Sequence, residues 1–180
     1  VPGLCEPLTE SASAGGYKIL DFETAIADQP GDQLTSKRIF SGDQIAAYFH
    51  TGGTTGRPKL AQLTHQNMAF LGQLMQVYTA HQGRQSILCG LPLFHIYGCI
   101  IQGVAAFAVG YRILLMTPSG FRSPVAMKSF WKHIDRFNIT SFATVPTVLM
   151  ALSDLSVGDS DISTLTNVNS GAAPLSEPFK

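Results

Sequence analysis

Charge is scarce in this chain of 180 residues. Asp, Glu, Lys and Arg make up 13% of it, and twelve cations balance twelve anions, so the formal net charge is zero. Without a basic excess there is no electrostatic footprint for nucleic acid or an anionic membrane surface, and neither is expected as a partner. Cysteine is also sparse. Cys5, Cys89 and Cys99 are odd in number, and their spacing matches neither a zinc site nor a redox pair. The simplest reading is therefore a reduced, cytoplasmic chain. Cys89 and Cys99 sit in apolar runs and read as small core residues. No apolar run reaches the roughly 20 residues of a membrane-spanning helix. The longest, "IYGCIIQGVAAFAVGY", is broken by glycines and reads as a buried helix. The first residues lack the charged and apolar regions of a signal peptide. The chain starts with valine, which fits an excised piece of something larger.

What is present is an apolar, foldable sequence. Hydrophobic residues make up 45% and aromatics 9%, enough for a sizeable core and against bulk disorder. Residues 1–44 are irregular, with turn-like "SASAGG" and "DQPGDQ" around a short apolar segment, "YKILDFETAIA", that suits one strand or a short helix. From residue 45 the pattern sharpens, and 45–180 is expected to form one α/β subdomain. "IAAYF" reads as a buried strand and "KLAQL" as a second, making the loop between them a hairpin. Thr64 is placed to cap a helix whose Met68, Leu71, Met75 and Tyr78 form one buried face. Beyond it, strands "SILCGLP", "YRILLM", "ITSFATV" and "LTNVNSG" alternate with helical stretches. One of these opens at Ser123-Pro124 and runs to Phe137 with a stripe of Met127, Phe130, Trp131 and Ile134. Another opens at Pro146, and "PLSEPFK" reads as a helix start. Such alternation predicts a mostly parallel sheet with helices on both faces. Ligands bind such sheets beyond the carboxyl ends of the strands, here after Phe49, after Leu91 and after Val168.

The segment after Phe49 is the richest in chemistry. Glycines can turn successive backbone amides inward to form a concave anion site. Thr51, Thr54 and Thr55 add hydroxyl donors around Gly52, Gly53 and Gly56, and Lys59 adds a full charge presented from behind the stiff Pro58. The spacing is neither that of the P-loop nor that of the dinucleotide fingerprint. Composition alone leaves two readings open, a phosphate clamp and a plain hairpin turn.

Thr51–Lys59, "TGGTTGRPK", resembles the signature of the adenylate-forming enzymes, the superfamily of acyl-CoA synthetases, luciferases and peptide-synthetase adenylation domains. Its pattern is Ser/Thr, Ser/Gly, then Gly-Thr-Thr-Gly-x-Pro-Lys, and the "LTHQN" that follows is similar to the family's usual continuation. Leu60 departs from the glycine more common after the lysine, which leans toward a CoA ligase. The resemblance implies that Thr51, Gly52, Gly53, Thr54, Thr55, Gly56 and Lys59 close over the β- and γ-phosphates of ATP. Two further segments carry it. "LPLFHIYG" resembles the family's aromatic-His segment beside the acyl pocket and the thiol path, pointing to Phe94, His95 and Tyr97; on residues alone, His95 reads first as a hydrogen-bonded core histidine, and it is the resemblance that makes it line a site. "NSGAAPLSE" resembles the family's "SGGAPL", which runs along adenine and the acyl pocket, pointing to Ser170, Gly171, Ala172, Ala173 and Pro174.

What the resemblance implies is a subdomain of the N-terminal domain of an acyl-CoA synthetase, covering residues 45–180. Its substrates would be a small-molecule carboxylate, ATP and CoA, with Mg²⁺ required and the remainder of the parent chain as a partner. The family's Mg²⁺-holding glutamate, its ribose-binding aspartate and its C-terminal lysine do not occur in this sequence, so no metal ligand and no certain catalytic residue is named, and the chain alone is expected to be inactive. A non-catalytic nucleotide- or acyl-binding module, or a structural domain of the same fold, is the alternative.

Overall fold

The computed structural model describes residues 21–27, 29–33, 35–36, 38–51, 59–79, 83 and 85–175. The chain divides into two compact units, Val1–Ile39 and Phe40–Lys180. In the first, Phe22–Ala27 is a short helix. Asp21 starts it: its carboxylate accepts from the Thr24 amide at 2.8 Å and from the Thr24 hydroxyl at 2.7 Å. These hydrogen bonds hold the exposed carboxyl below its ordinary range.

The second unit opens with an antiparallel hairpin. Strand β1 (Ile45–Thr51) pairs with β2 (Lys59–Thr64), from Thr51 opposite Lys59 to Ile45 opposite Thr64. The hairpin matches the expectation, but β1 is not buried: Ile45 and Tyr48 are exposed. A two-stranded ribbon outside the main sheet leaves a face open, whatever the side chains' hydropathy. Thr64 then caps helix His65–Thr79. Its hydroxyl accepts from the Asn67 amide at 3.2 Å, while Asn67 Oδ1 accepts from the Thr64 amide at 3.0 Å. This reciprocal pair satisfies two donors at the helix start. Of the expected buried face, Met68, Leu71 and Met75 are half-buried, but Tyr78 is exposed. The fully buried position is Gly72, where a Cβ would stand 2.8 Å from Cβ of Ala108, so the missing side chain lets two helices meet.

Four strands form the main sheet, in the order β4-β3-β5-β6, every neighbouring pair parallel. They are β3 (Ser86–Cys89), β4 (Arg112–Leu115), β5 (Ser141–Thr144) and β6 (Asn167–Ser170). Every residue of β3 is buried, as a central strand covered on both faces requires. On one face Phe130 packs edge-on against Phe142 at 5.1 Å and Trp131 at 5.1 Å, within a cluster of Leu88, Ile134, Ile139 and Leu152. The stripe read from the sequence supplies the helical half of that cluster. The expected single helix after Ser123 is two, Pro124–Lys128 and Phe130–Arg136. The Ser129 hydroxyl at the break donates to the carbonyls of Val125 (3.1 Å) and Ala126 (3.3 Å), competing with the helical ladder. Helix Pro146–Ser153 begins at proline as expected. Leu175 has no helical structure, and 176–180 lie outside the described residues.

The segment between β3 and β4 is a π-helix, Tyr97–Ala105, continuing as an α-helical turn, Ala106–Ala108. Its i→i+5 bonding widens each turn beyond the about 3.6 residues of an α-helix, so positions four and five apart share a face.

Candidate active site

Of the glycine-rich loop, Gly52, Gly53, Thr54, Thr55 and Gly56 lie outside the described residues, while its two ends, Thr51 and Lys59, lie within them. Thr51 and Lys59 are partners across the hairpin, and the Thr51 hydroxyl donates to the Lys59 carbonyl at 3.2 Å. That bond closes the loop's neck and fixes where the Lys59 side chain departs. It also engages the Thr51 hydrogen at the neck, beside the phosphate role that the resemblance implies.

The segment after β3 crosses toward the hairpin. His95 N–H donates to the Pro92 carbonyl at 3.1 Å, making a tight turn, and Cys99 N–H donates to the His95 carbonyl at 3.0 Å as the π-helix begins. The turn is held from behind by Gly98. A Cβ there would stand 2.4 Å from the Pro92 oxygen, so only glycine lets the helix start this close to the Pro92 backbone. Gly98 closes the "LPLFHIYG" segment, where residue type alone points to no role. Phe94, exposed, meets the His50 ring edge-on with centroids 6.3 Å apart. His95 is exposed, which removes the core-histidine reading. Its Nδ1 accepts from the Tyr97 amide at 3.2 Å, so in the neutral ring the proton sits on Nε2. Tyr97 is half-buried, and burial pushes its phenol up.

Tyr97 also reaches the third segment. A Cβ on Gly171 would lie 3.3 Å from Tyr97 Cε1 and 3.6 Å from its hydroxyl oxygen, so the ring lies against the Gly171 backbone. The Gly171 amide donates to the Thr144 carbonyl at 3.1 Å, continuing the β5–β6 ladder past its last pair. Ala172 has φ of +70°, a left-handed conformation that costs an L-residue about 1–2 kcal/mol. The family pattern has glycine here. Ala173 and Pro174 are exposed and touch neither cavity described below.

Two cavities flank Tyr97 and Phe94. One, of about 400 Å³, lies at the carboxyl ends of β3 and β4, with Gly90, Phe94, Leu115, Ser119 and Arg122 in its wall. Cys89 also lines it, and burial pushes its thiol up, as for a small core residue rather than a nucleophile. The other, of about 500 Å³, lies between the π-helix and the sheet, with Tyr97 and Ser170 in its wall together with Ile87, Ile101 and Ala143. So His50 of the hairpin meets Phe94, and Tyr97, three residues later, lies against Gly171. The three segments singled out in the sequence are neighbours in space.

A family model for AMP-binding enzymes matches residues 5–180. The chain belongs to the AMP-binding enzyme family. The match reaches well upstream of residue 45, into a region without a motif to quote. Among its curated relatives are a marinolic acid–CoA ligase of Pseudoalteromonas sp. (strain SANK 73390) and a 4-coumarate–CoA ligase-like protein, number 6, of Arabidopsis thaliana. The first is 34% identical over 161 residues, 87% of this chain and 25% of the relative. The second is 35% identical over 150 residues, 79% of this chain and 25% of the relative. The chain thus spans about a quarter of the length of these relatives. Among solved structures, the N-terminal domain of FACL13 from Mycobacterium tuberculosis, with inhibitor bound, has a TM-score of 0.71 at 18% identity, covering 87% of this chain and 37% of that one. The o-succinylbenzoate CoA synthetase of Bacillus subtilis, in complex with an acyl-adenylate, has a TM-score of 0.65 at 24% identity, covering 78% of this chain and 27% of that one. These neighbours share the α/β fold with its parallel sheet. Among the described residues no helix is long and apolar enough to cross a membrane. The described residues gather no cluster of three His, Cys, Asp or Glu.

Proposed function

We propose that this chain is part of an ATP-dependent acyl-CoA synthetase. A carboxylate oxygen attacks the α-phosphorus of ATP, the bond to pyrophosphate breaks, and acyl-adenylate forms. The CoA thiol, giving up its proton, then attacks the acyl carbon, and AMP leaves with its electron pair. The observation that carries the reading is the meeting of the hairpin neck, Phe94–Tyr97 and Ser170–Gly171.

The roles follow from that meeting. The loop from Thr51 to Lys59 binds the phosphates with its amides, its threonine hydroxyls and the Lys59 ammonium, offsetting the charge that develops on departing pyrophosphate. Thr51 acts first as the neck clamp. Ser170, Gly171, Ala172, Ala173 and Pro174 supply a flat, small-residue surface for adenine and the start of the acyl group. Phe94, His95 and Tyr97 border the thiol path, and the cavity beside Tyr97 takes the acyl group. CoA and the remaining parts of a longer parent chain complete the site, and the low cysteine content suits a reducing compartment such as the cytoplasm. The isolated chain is inactive on this reading.

ATP–pyrophosphate exchange with a panel of fatty and aromatic acids tests it in the full-length protein. Wild type should exchange. Lys59→Ala should lose about 10²–10³-fold, as for removal of one fixed electrostatic group, with thermal unfolding unchanged. Full exchange by Lys59→Ala refutes the phosphate role, and exchange by the 180-residue chain alone refutes its dependence on a parent.

A further inference from the structure

Resting on the acyl-cavity reading above, we propose that the acid carries a hydrogen-bonding group, a hydroxyl or oxo oxygen, toward its far end, and that Gln102 and Tyr111 select for it. Both residues line the cavity that also holds Tyr97 and Ser170. Gln102 is only 5% exposed, yet its Oε1 has no hydrogen-bond partner, and the buried Tyr111 hydroxyl also has none. Two buried, unpartnered polar atoms on residues that line one cavity, whose wall also holds Thr79, Ser141, Asn167, Asn169 and Ser170, are costly unless a group that enters the cavity completes them.

The geometry sets where that something sits. Tyr97 stands at the carboxyl end of the sheet, beside Gly171. The π-helix runs back from it, and Tyr111 directly precedes β4, at the opposite end. Ser141 and Asn167, the first residues of β5 and β6, line the cavity too, whereas Ser170 is the last of β6. The cavity therefore runs the length of these strands, about 10 Å. Gln102 lies partway down and Tyr111 at the foot. The wide π turn puts Ile101, Gln102 and Ala106 on the face of Tyr97, and all four line the cavity. Ile87, Ile101 and Ala143 give the passage its apolar wall, which suits a hydrocarbon or aromatic body. A half-turn of the Gln102 amide exchanges its donor and acceptor, and the Tyr111 hydroxyl serves as either, so hydroxyl and oxo groups both fit.

Exchange kinetics in the full-length protein test this with matched acids, 8-hydroxyoctanoate against octanoate and 4-hydroxycinnamate against cinnamate. Wild type should favour the oxygenated member of at least one pair by about 10- to 100-fold in kcat/KM, since the plain acid leaves the buried groups unpaired. Gln102→Leu, close in volume and free of an orphan polar atom, should fold as well as wild type and lose or reverse that preference, mainly by gaining on the plain acid. Tyr111→Phe should act in the same direction. Equal use of both members by wild type, or an equal loss on both in Gln102→Leu, overturns the selection while leaving the acyl cavity standing. Identical kinetics for wild type and Gln102→Leu on every acid overturn the acyl-cavity reading itself.

Discussion

Gly98 and Gly103 lie in the same π-helix, yet alanine should have opposite effects at the two. At Gly98 the new Cβ would stand 2.4 Å from the Pro92 carbonyl oxygen and 3.0 Å from that of Leu91, both backbone atoms that cannot rotate away. Cβ contacts below 3.0 Å essentially never occur, so the Leu91–His95 turn must retreat by at least 0.6 Å. That turn carries Phe94 against His50 and His95 against the Tyr97 amide. Overpacking of this kind costs about 1–3 kcal/mol. A displacement approaching 1 Å in a positioning element costs up to about 10²-fold in rate. At Gly103 the Cβ would meet only the Gly98 oxygen, at 3.5 Å, an ordinary contact. There alanine should gain about 0.5–1 kcal/mol by removing glycine's extra freedom in the unfolded chain. The assay pairs thermal unfolding with ATP–pyrophosphate exchange on both variants of the full-length protein. Gly98→Ala should melt earlier and exchange at least 10-fold more slowly, while Gly103→Ala melts later at an unchanged rate. Equal behaviour of the two, or a stable and fully active Gly98→Ala, would refute the claim that the Pro92 turn and the helix start are locked by contact.

Gly120→Ala should be among the most damaging glycine changes in the described fold, by roughly 3 kcal/mol or more, since its φ is +51° and its Cβ would fall 2.0 Å from the Gly90 oxygen. Gly110→Ala, with φ of +74° and nothing within 4 Å, isolates the conformational part and should cost only about 1–2 kcal/mol in urea titration. Ala172→Gly relieves a left-handed alanine and should raise stability by up to about 1 kcal/mol after the entropy of the unfolded glycine is counted. A lower denaturation midpoint for that variant would contradict the strain assigned to Ala172.

Most of the sheet was legible because its strands are short apolar runs whose flanking turns and caps are local. Ser123-Pro124 caps where it should, and Phe130 and Ile134 land in the core. The readings that failed depend on what packs where. "IAAYF" has the hydropathy of a buried strand, but the hairpin stands apart from the sheet, and hydropathy does not encode the number of neighbours. Tyr78 continues the helical stripe of Met68, Leu71 and Met75 past the point where anything covers it. Ser129 breaks a helix through its own hydroxyl, a local competition that periodicity overlooks. The segments of the candidate site were singled out by resemblance, and what the fold adds is their approach to one another: Phe94 to His50, and Tyr97 to Gly171.

Gln102 shows how the segments of a candidate site can be read from sequence while a residue in the same cavity wall is missed. At about 3.6 residues per turn, Gln102 would point well away from Tyr97, and a glutamine on the far side of an apolar helix attracts no notice. The i→i+5 turn rotates it onto the cavity face, where it is 5% exposed and its oxygen is unpartnered. Nothing in the string "IYGCIIQGVAAFAVG" announces that change of period, because π and α turns draw on the same residues. A signal was nonetheless present. Gln102 is the only polar side chain between Tyr97 and Tyr111 in a segment that reads as buried, and a lone buried amide needs a partner that the segment itself does not contain. If selection by Gln102 holds, it is the helix's period that turns a general acyl cavity into one that distinguishes between acids.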